Sequence, residues 1–177
     1  MDGPPAGENR ATLSLLGSCK KNEILLMKFD VVLVPVDFSA VSNAVYSAAA
    51  ELASGLGAKV VVLNVTEPEV DYVGMAPPQA FSNADEVITR GAEAALRVAQ
   101  EFFEEKSVRV ETLHLMGPIV PTILAEAGRQ NAGMIVIGSH GHGAIYTILV
   151  GSVAEGVIRH ANIPVLVVPD VRSGQKD

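Results

Sequence analysis

The stretch Phe29-Asp-Val-Val-Leu-Val-Pro-Val36 is a nearly continuous apolar run. Such a run, without alternation of polar and apolar residues, is typical of a strand that is covered on both faces, as in a parallel sheet. From Val41 to Leu56 apolar residues recur every three or four positions, which predicts a helix with one buried face. Ser39 lies just before this pattern and is the expected helix cap. A strand followed directly by an amphipathic helix predicts the α/β class.

The same alternation continues toward the end of the chain. The pattern predicts further strands at 59–65, 108–115, 134–137 and 165–168, and further helices at about 83–106, 118–129 and 152–160. Five strands separated by four helices predict one domain built on an open parallel sheet with helices on both faces. The proline-bearing segment 66–82 is longer than most loops in such units, and it is either a lid or partner site or a connection without function.

Composition and charge narrow the classes of protein. The formal net charge of −7 argues against general affinity for nucleic acids, which requires a cationic surface. Cys19 is the only cysteine, so the chain cannot form an intrachain disulfide. No apolar run approaches the roughly 18 residues that would cross a bilayer. Leu16-Gly-Ser-Cys19 matches a lipobox, but the apolar stretch before it is short. The N terminus carries Asp2 and Glu8 in place of the cluster of lysines that begins a signal peptide. We therefore expect a cytoplasmic protein without a nucleic-acid or membrane partner.

A glycine-rich stretch, Gly138-Ser-His-Gly-His-Gly-Ala-Ile-Tyr-Thr-Ile-Leu-Val-Gly-Ser152, follows the fourth predicted strand. Glycines allow a ligand to approach the backbone closely. Consecutive N–H groups and the N terminus of the following helix attract phosphate. The stretch is not a Walker A motif, since no lysine follows Gly151, and it is not the dinucleotide fingerprint, which follows the first strand. Because ligands of open parallel sheets bind at the carboxyl ends of the strands, it predicts an anion site there.

Several residues near this stretch have structural as well as functional interpretations. Ser152 and Glu155 match a capping box, which would satisfy backbone N–H groups at the helix start. Asp37 suits a turn, or it binds a ligand or a Mg²⁺ ion held partly by phosphates. His140 and His142 have no Cys, Asp or Glu in their loop to complete a metal site.

The spacing Gly138-x2-Gly141-x9-Gly151-Ser152 resembles the nucleotide-binding motif of the universal stress protein family, in its ATP-binding branch. Val34-Pro-Val-Asp37-Phe-Ser39 is similar to the first strand and turn of that family. Its C-terminal signature is similar to three strings here, Gly151-Ser-Val-Ala-Glu155, Arg159-His-Ala161 and Pro164-Val-Leu-Val-Val168. The likeness covers residues 28–170. It leaves 1–27 as a flexible N-terminal extension and 171–177 as a C-terminal tail.

The resemblance implies a Rossmann-like, adenine nucleotide alpha hydrolase-like sheet in the order 3-2-1-4-5, and a homodimer formed through the fifth strand. It implies that Asp37 lies near the ribose and phosphates. The backbone of Val65 would bind adenine, and Gly138 would face the ribose. The phosphates would be held by Gly141, Gly151 and Ser152. The matching motifs add Pro35, Val36, Ser139, His140, His142 and Val153 as candidate nucleotide contacts.

The nucleotide and the function remain open between alternatives. His142 stands where many relatives carry a basic residue, and a largely neutral imidazole favours AMP or ADP as alternatives to ATP. The resemblance implies a nucleotide-sensing regulatory dimer that acts in the stress response. The alternatives are a slow ATPase or nucleotidyl-transferring enzyme, and a nucleotide-free dimerisation module. Beside the glycines only His140 or His142 could act as a general base, and no lysine matches the P-loop cation. We therefore expect slow ATP hydrolysis at most.

Overall fold

The computed structural model describes residues 28–67, 78–139 and 150–169, and for 78–86 it describes the backbone alone. Strands and helices alternate throughout this part of the chain. The strands are β1 (Val31–Val36), β2 (Lys59–Thr66), β3 (Val110–Met116), β4 (Met134–Gly138) and β5 (Val165–Val168). The helices are α1 (Ser42–Leu56), α2 (Pro78–Glu105), α3 (Ile119–Arg129) and α4 (Ser152–His160). The predicted α/β class is confirmed.

The five strands form one parallel sheet in the order β3-β2-β1-β4-β5, as predicted. One cross-strand row runs near the carboxyl edge of the sheet. In this row Val36 pairs with Asn64, and Asn64 pairs with His114. On the other side Gly138 pairs with Val168. The register of β1 and β4, continued from the pair Val32–Met134 along both strands, places Val36 opposite Gly138. The strands therefore end at nearly the same level.

Each face of the sheet is covered by its own apolar layer. On one face α1 and α2 cover strand side chains such as Val34 and Val62, and Phe103 of α2 belongs to this layer. On the other face α3 and α4 cover strand side chains such as Leu33, and Ile123 of α3 belongs to this layer. Both faces of β1 and β2 are buried, which explains why their sequences are apolar without alternation.

The helices that follow β1 and β4 lie on opposite faces of the sheet. Segment 37–41 leads to α1 on one face, while the segment after Ser139 leads to α4 on the other face. β1 and β4 are neighbours in the sheet, so their carboxyl ends mark the point where the strand order reverses, and open parallel sheets form their ligand-binding crevice at such a point. The fold thus places the turn after β1 and the glycine-rich stretch side by side.

The predicted side-chain cap of α1 is wrong. The helix begins at Ser42, the residue before it is Val41, and no side-chain hydrogen bond caps it. Ser39 contributes its backbone instead, because its carbonyl accepts a hydrogen bond from the Ser42 N–H at 3.0 Å. The Ser39 Oγ is buried and finds no hydrogen-bond partner in the described part of the chain. The Ser39 N–H is bonded to the Asp37 carboxylate, so Ser39 belongs to the turn before the helix. It lies two positions before Val41, the residue that directly precedes α1.

The predicted start of α2 is also wrong. The helix begins at Pro78, so part of the segment 66–82 that we expected to be a loop is helical. Proline is tolerated in the first turn of a helix because its missing N–H would have no partner there. The segment 68–77, the extension 1–27 and the tail 170–177 lie outside the described residues. Within the described ranges, no helix combines the length and the apolar character needed to cross a membrane.

Candidate functional site

The site predicted from the glycine-rich stretch lies where β1 and β4 end beside each other. Asp37 follows the last residue of β1, and Ser139 follows the last residue of β4. Asp37 is exposed, whereas Ser139 is 5% exposed and lies against the sheet. The structure therefore brings together the two segments that carry most of the predicted contacts. The contacts predicted for His140, Gly141 and His142 lie outside the described residues.

Two hydrogen bonds close the glycine-rich stretch at its base. The Gly151 N–H donates to the Ser139 carbonyl oxygen at 2.7 Å. The Ser139 N–H donates to the Val168 carbonyl oxygen, also at 2.7 Å, which ties the same point to β5. The first and last parts of the motif are therefore adjacent in space, although twelve positions separate them in the chain. The start of α4 is held directly above the end of β4.

The N terminus of α4 differs from the predicted capping box. Gly151, not Ser152, precedes the helix, and no side-chain hydrogen bond caps this end. Glu155 uses its N–H to bond the Gly151 carbonyl at 2.9 Å, while its carboxylate pairs with Arg159 one turn later. The capping box is absent because Ser152 is already inside the helix, one position too late to cap it. The first-turn N–H groups of α4 precede the first helical hydrogen bond and carry the positive end of the helix dipole.

The backbone conformation does not explain the glycines at the two ends of the motif. Gly151 has φ −71° and ψ 158°, an extended conformation that any residue adopts. The described glycines with positive φ are Gly57 and Gly117, so Gly138 also lies outside the left-handed region. Close approach of another group to the backbone remains as a physical reason for glycine at both positions.

Asp37 is held in a tight turn. Its Oδ1 accepts a hydrogen bond from the Ser39 N–H at 3.1 Å, which is the side-chain-to-backbone pattern of an Asx turn. Phe38 between them has φ 59°, an uncommon conformation for a residue other than glycine. The Phe38 side chain packs against the apolar layer beneath α1 and α2, which offsets part of that strain. The turn interpretation of Asp37 is confirmed, and it leaves the carboxylate at the crevice.

Tyr46 lies close enough to Asp37 for the two groups to interact electrostatically. Burial raises the pKa of the Tyr46 phenol to about 12, and the negative charge of Asp37 contributes to the same shift. The ring packs against Phe102 and Phe103, with ring centroids 5.7 Å away in both cases. Tyr46 is therefore a neutral hydrogen-bonding group beside the turn at physiological pH. Sequence reasoning missed this residue because its position matches the apolar face of α1.

A buried polar pair lies under the same turn. The Asn64 Nδ2 donates to the Val36 carbonyl oxygen at 2.9 Å, and the Asn64 Oδ1 lies 2.9 Å from the His114 Nδ1. Asn64 is 6% exposed. Sequence reasoning gave no role to Asn64 or to His114. The available signal was a single polar residue within the apolar run Val60–Val65.

The remaining predicted contacts surround the same edge. Pro35 is buried in β1, and Val36 is partly buried at its end. Val65 at the end of β2 and Val153 in the first turn of α4 both pack against the apolar layer on the α3 and α4 face. Val65 and Val153 therefore lie on the face of the sheet opposite to Tyr46. The described residues contain no group of three or more His, Cys, Asp or Glu side chains that could hold a metal ion. Water or a bound molecule could supply the further oxygen ligands that a cation near Asp37 would need.

Comparisons with known proteins agree with this architecture. A model described as the universal stress protein family matches residues 28–169. A universal stress protein of Methanocaldococcus jannaschii is 31% identical over 137 residues, which are 77% of this chain and 80% of that protein. The solved universal stress protein UspA of Lactobacillus plantarum is 26% identical with a TM-score of 0.72, covering 80% of this chain and 98% of the other. A universal stress protein of Archaeoglobus fulgidus, solved in complex with dAMP, is 26% identical with a TM-score of 0.56 and covers 80% and 98%.

Proposed function

Because the chain belongs to the universal stress protein family, we propose that it is a regulatory protein that binds an adenine nucleotide, with ATP, ADP or AMP as the ligand. The nucleotide lies in the crevice between the ends of β1 and β4. Occupancy of this site biases the geometry of a homodimer or its binding to partners during stress. The proposal concerns binding and signalling, and turnover of the nucleotide is not part of it.

The hydrogen bond from Gly151 to Ser139 carries this proposal. It brings a glycine without a side chain and the uncapped N terminus of α4 to the end of β4. The pairing of β1 with β4 places the turn of Asp37 at the same edge of the sheet. Helix N termini attract phosphate through their N–H groups and dipole. A Cβ atom at Gly151 would stand between those groups and an approaching phosphate. Glycine at a position with an ordinary φ is thus consistent with a ligand that approaches the backbone.

Different residues around the crevice contact the phosphates, the ribose and the adenine. The backbone N–H groups of Ser152 and Val153 hold phosphate oxygens, together with Gly141, and Gly151 lets the phosphate come close because its own N–H is bonded to Ser139. The Ser152 hydroxyl adds a further donor, because it makes no capping hydrogen bond in this structure. Gly138 and Ser139 line the ribose, with Pro35 and Val36 opposite. Val65 presents its backbone groups to the adenine at the end of β2.

Asp37 has two roles in this arrangement, and both fit its chemistry. Its exposed carboxylate accepts hydrogen bonds from ribose hydroxyl groups, and it binds Mg²⁺ when phosphate oxygens complete the coordination. The Ser39 N–H holds one carboxylate oxygen in place. His140 and His142 lie in the segment between the two glycine ends, and we propose that they contact the phosphates.

A relative supports the choice of ligand. The Archaeoglobus fulgidus protein that was solved with dAMP has the same fold and covers 80% of this chain at 26% identity. A deoxyadenosine monophosphate contains the base and one phosphate but lacks the ribose 2′-hydroxyl. We propose that the present chain binds the same adenine and first phosphate. How many phosphates it prefers is a separate question, which a comparison of AMP, ADP and ATP answers.

The proposed homodimer forms through the outer edge of β5. This strand ends the sheet and consists of four apolar residues, of which Leu166 is 38% exposed. The opposite edge strand, β3, carries the exposed Glu111, paired with Lys59 at 2.7 Å, and charges of this kind discourage pairing between edges. Light scattering would test this. We expect a dimer in the wild type, a monomer for Leu166→Arg, and a dimer for Met116→Arg on β3. A monomeric wild type would refute it.

Titration calorimetry of the full chain with AMP, ADP and ATP tests nucleotide binding. We expect saturable binding of at least one of them by the wild type. Gly151→Ala should weaken it by at least about tenfold, because one methyl group blocks the approach of the phosphate while the backbone conformation is allowed. Gly128→Ala is the matched control, since a Cβ there meets nothing within 4 Å, and it should bind like the wild type. Equal binding by both variants would contradict the phosphate site.

A further inference from the structure

The end of β1 is fixed by a side chain from the neighbouring strand. The Asn64 Nδ2 donates to the Val36 carbonyl oxygen at 2.9 Å, and the two residues are also partners in the register of β1 and β2. A peptide group is planar, so the Val36 carbonyl and the Asp37 N–H share one plane. Holding the Val36 oxygen therefore fixes the direction in which the chain enters Asp37.

His114 fixes the orientation of Asn64 in turn. The Val36 carbonyl can only accept a hydrogen bond, so the NH₂ group of Asn64 must face it and the Oδ1 must face His114. The His114 Nδ1, 2.9 Å from that oxygen, must then carry a proton. In the neutral ring the Nε2 is consequently the acceptor, and it is buried without a hydrogen-bond partner among the described residues. The direction of both hydrogen bonds, from His114 to Asn64 and from Asn64 to Val36, is therefore determined.

The turn that these bonds support carries its own strain. Phe38 has φ 59°, and Asp37 closes the turn by accepting a hydrogen bond from the Ser39 N–H. A conformation of this kind is strained and persists only where the surroundings hold it. The Asn64–Val36 hydrogen bond is one of the contacts that fix the start of this turn. An apolar strand residue at position 64 would complete the core equally well but could not hold the carbonyl.

We infer that Asn64, oriented by His114, is a positioning residue for Asp37. The pair sets the direction of the Asp37 carboxylate toward the crevice and so sets its contribution to nucleotide and Mg²⁺ binding. This inference rests on the proposed function, because Asp37 is assumed there to contact the ligand. Asn64 itself touches no ligand in this arrangement. Its effect on binding therefore depends on the presence of the Asp37 side chain.

A double-mutant cycle tests this dependence. Binding of the preferred adenine nucleotide with Mg²⁺ is measured by calorimetry for the full chain, Asn64→Leu, Asp37→Ala and the double variant. We expect Asn64→Leu to weaken binding at least about fivefold when Asp37 is present, and less than about twofold when Asp37 is replaced. An equal loss in both backgrounds would mean that Asn64 acts only through general stability. That result, or no effect of Asp37→Ala, would overturn the inference.

A measurement without nucleotide separates this inference from the proposed function. The Ser39 amide donates to Asp37 Oδ1, so its NMR chemical shift reports the position of the carboxylate. We expect Asn64→Leu to move this resonance and His114→Leu to move it in the same direction by less, because there the Asn64–Val36 bond survives. Thr112→Val is the matched control, since it lies on β3 two residues before His114, and it should leave the resonance in place.

The two failures are therefore distinguishable. A protein that binds no nucleotide, but whose Ser39 resonance moves in both Asn64→Leu and His114→Leu, refutes the proposed function while the effect on the Asp37 carboxylate stands. A protein that binds nucleotide, but whose Ser39 resonance is the same in both variants and the wild type, overturns the positioning role. If Asn64→Leu does not fold, His114→Leu serves in the same cycle, and additivity with Asp37→Ala then overturns the role.

Discussion

The Tyr46→Phe substitution tests the electrostatic coupling between helix α1 and the turn of Asp37. The folded protein raises the Tyr46 pKa from 10.0 to about 12, with burial as the larger cause and the Asp37 charge as the smaller one. A shift of two units corresponds to about 3 kcal/mol of preference for the neutral phenol. Since the folded-state pKa lies above the unfolded one, this stabilisation is complete below pH 10 and is lost as the pH rises through about 12.

The assay is an absorbance titration of tyrosinate in the wild type and in Tyr46→Phe. The chain has three tyrosines, and the difference between the two curves isolates Tyr46. We expect the difference to be centred near pH 12. In chemical denaturation the advantage of the wild type over the variant in unfolding free energy should fall between pH 10 and pH 12, by no more than about 3 kcal/mol.

The Asp37→Asn variant divides the shift between its two causes. Removing the carboxylate charge should lower the Tyr46 pKa but leave it above 10.0, because burial is the larger cause. Tyr46 titrating near 10 in the folded wild type would refute the burial of the phenol. An unchanged Tyr46 pKa in Asp37→Asn would refute the proximity of Tyr46 to the Asp37 carboxylate, and with it our description of the turn.

Three substitutions test the local structure, each by chemical denaturation at neutral pH. Gly133→Ala should lower the unfolding free energy by about 1–3 kcal/mol, because the new methyl group would collide with the Lys28 carbonyl oxygen. Gly128→Ala, with open space around it, should raise the unfolding free energy by up to about 1 kcal/mol. A Gly133→Ala variant more stable than Gly128→Ala would contradict the packing of β4 against β1. Ser39→Ala should be neutral or stabilising by up to about 1 kcal/mol, because the hydroxyl is buried without a partner in the described part of the chain, and a clear loss would reinstate it as a cap. Ser152→Ala should change stability by less than about 0.5 kcal/mol, since no side-chain bond caps α4; a loss of 1 kcal/mol or more would support the capping box instead.

The sheet was predictable because its sequence signals are long and redundant. Strands covered on both faces require apolar residues at every position, so Val31–Val36 and Lys59–Thr66 stand out without knowledge of their partners. The order of the strands came from the family resemblance, and the pairing of β1 with both β2 and β4 confirms it. Helix ends were less predictable. Ser39 and Ser152 each have a capping residue type, but a shift of one or two positions decides whether the side chain reaches an N–H group.

The candidate site was predictable only where the motif has a fixed spacing. The glycines and Asp37 follow strand ends, and the sheet necessarily brings neighbouring strand ends together. Asn64 and His114 are 50 positions apart in the chain, and their contact depends on the register of β2 with β3. The role of Tyr46 depends in the same way on how α1 lies over the sheet. Asn64 stands out as a polar residue within an apolar run, but the sequence does not name the partners of such residues, since only the tertiary packing defines them.

The most direct test of the proposed nucleotide site is to identify what the protein carries. The full chain and its Gly151→Ala variant would be purified from cells, shown to be folded, and denatured, and the released small molecules identified by chromatography and mass spectrometry. We predict that an adenine nucleotide is recovered from the wild type and is lost or strongly reduced in the variant, and its phosphate count would name the ligand. A folded wild type that releases no nucleotide and gives no heat with AMP, ADP or ATP would contradict the proposal.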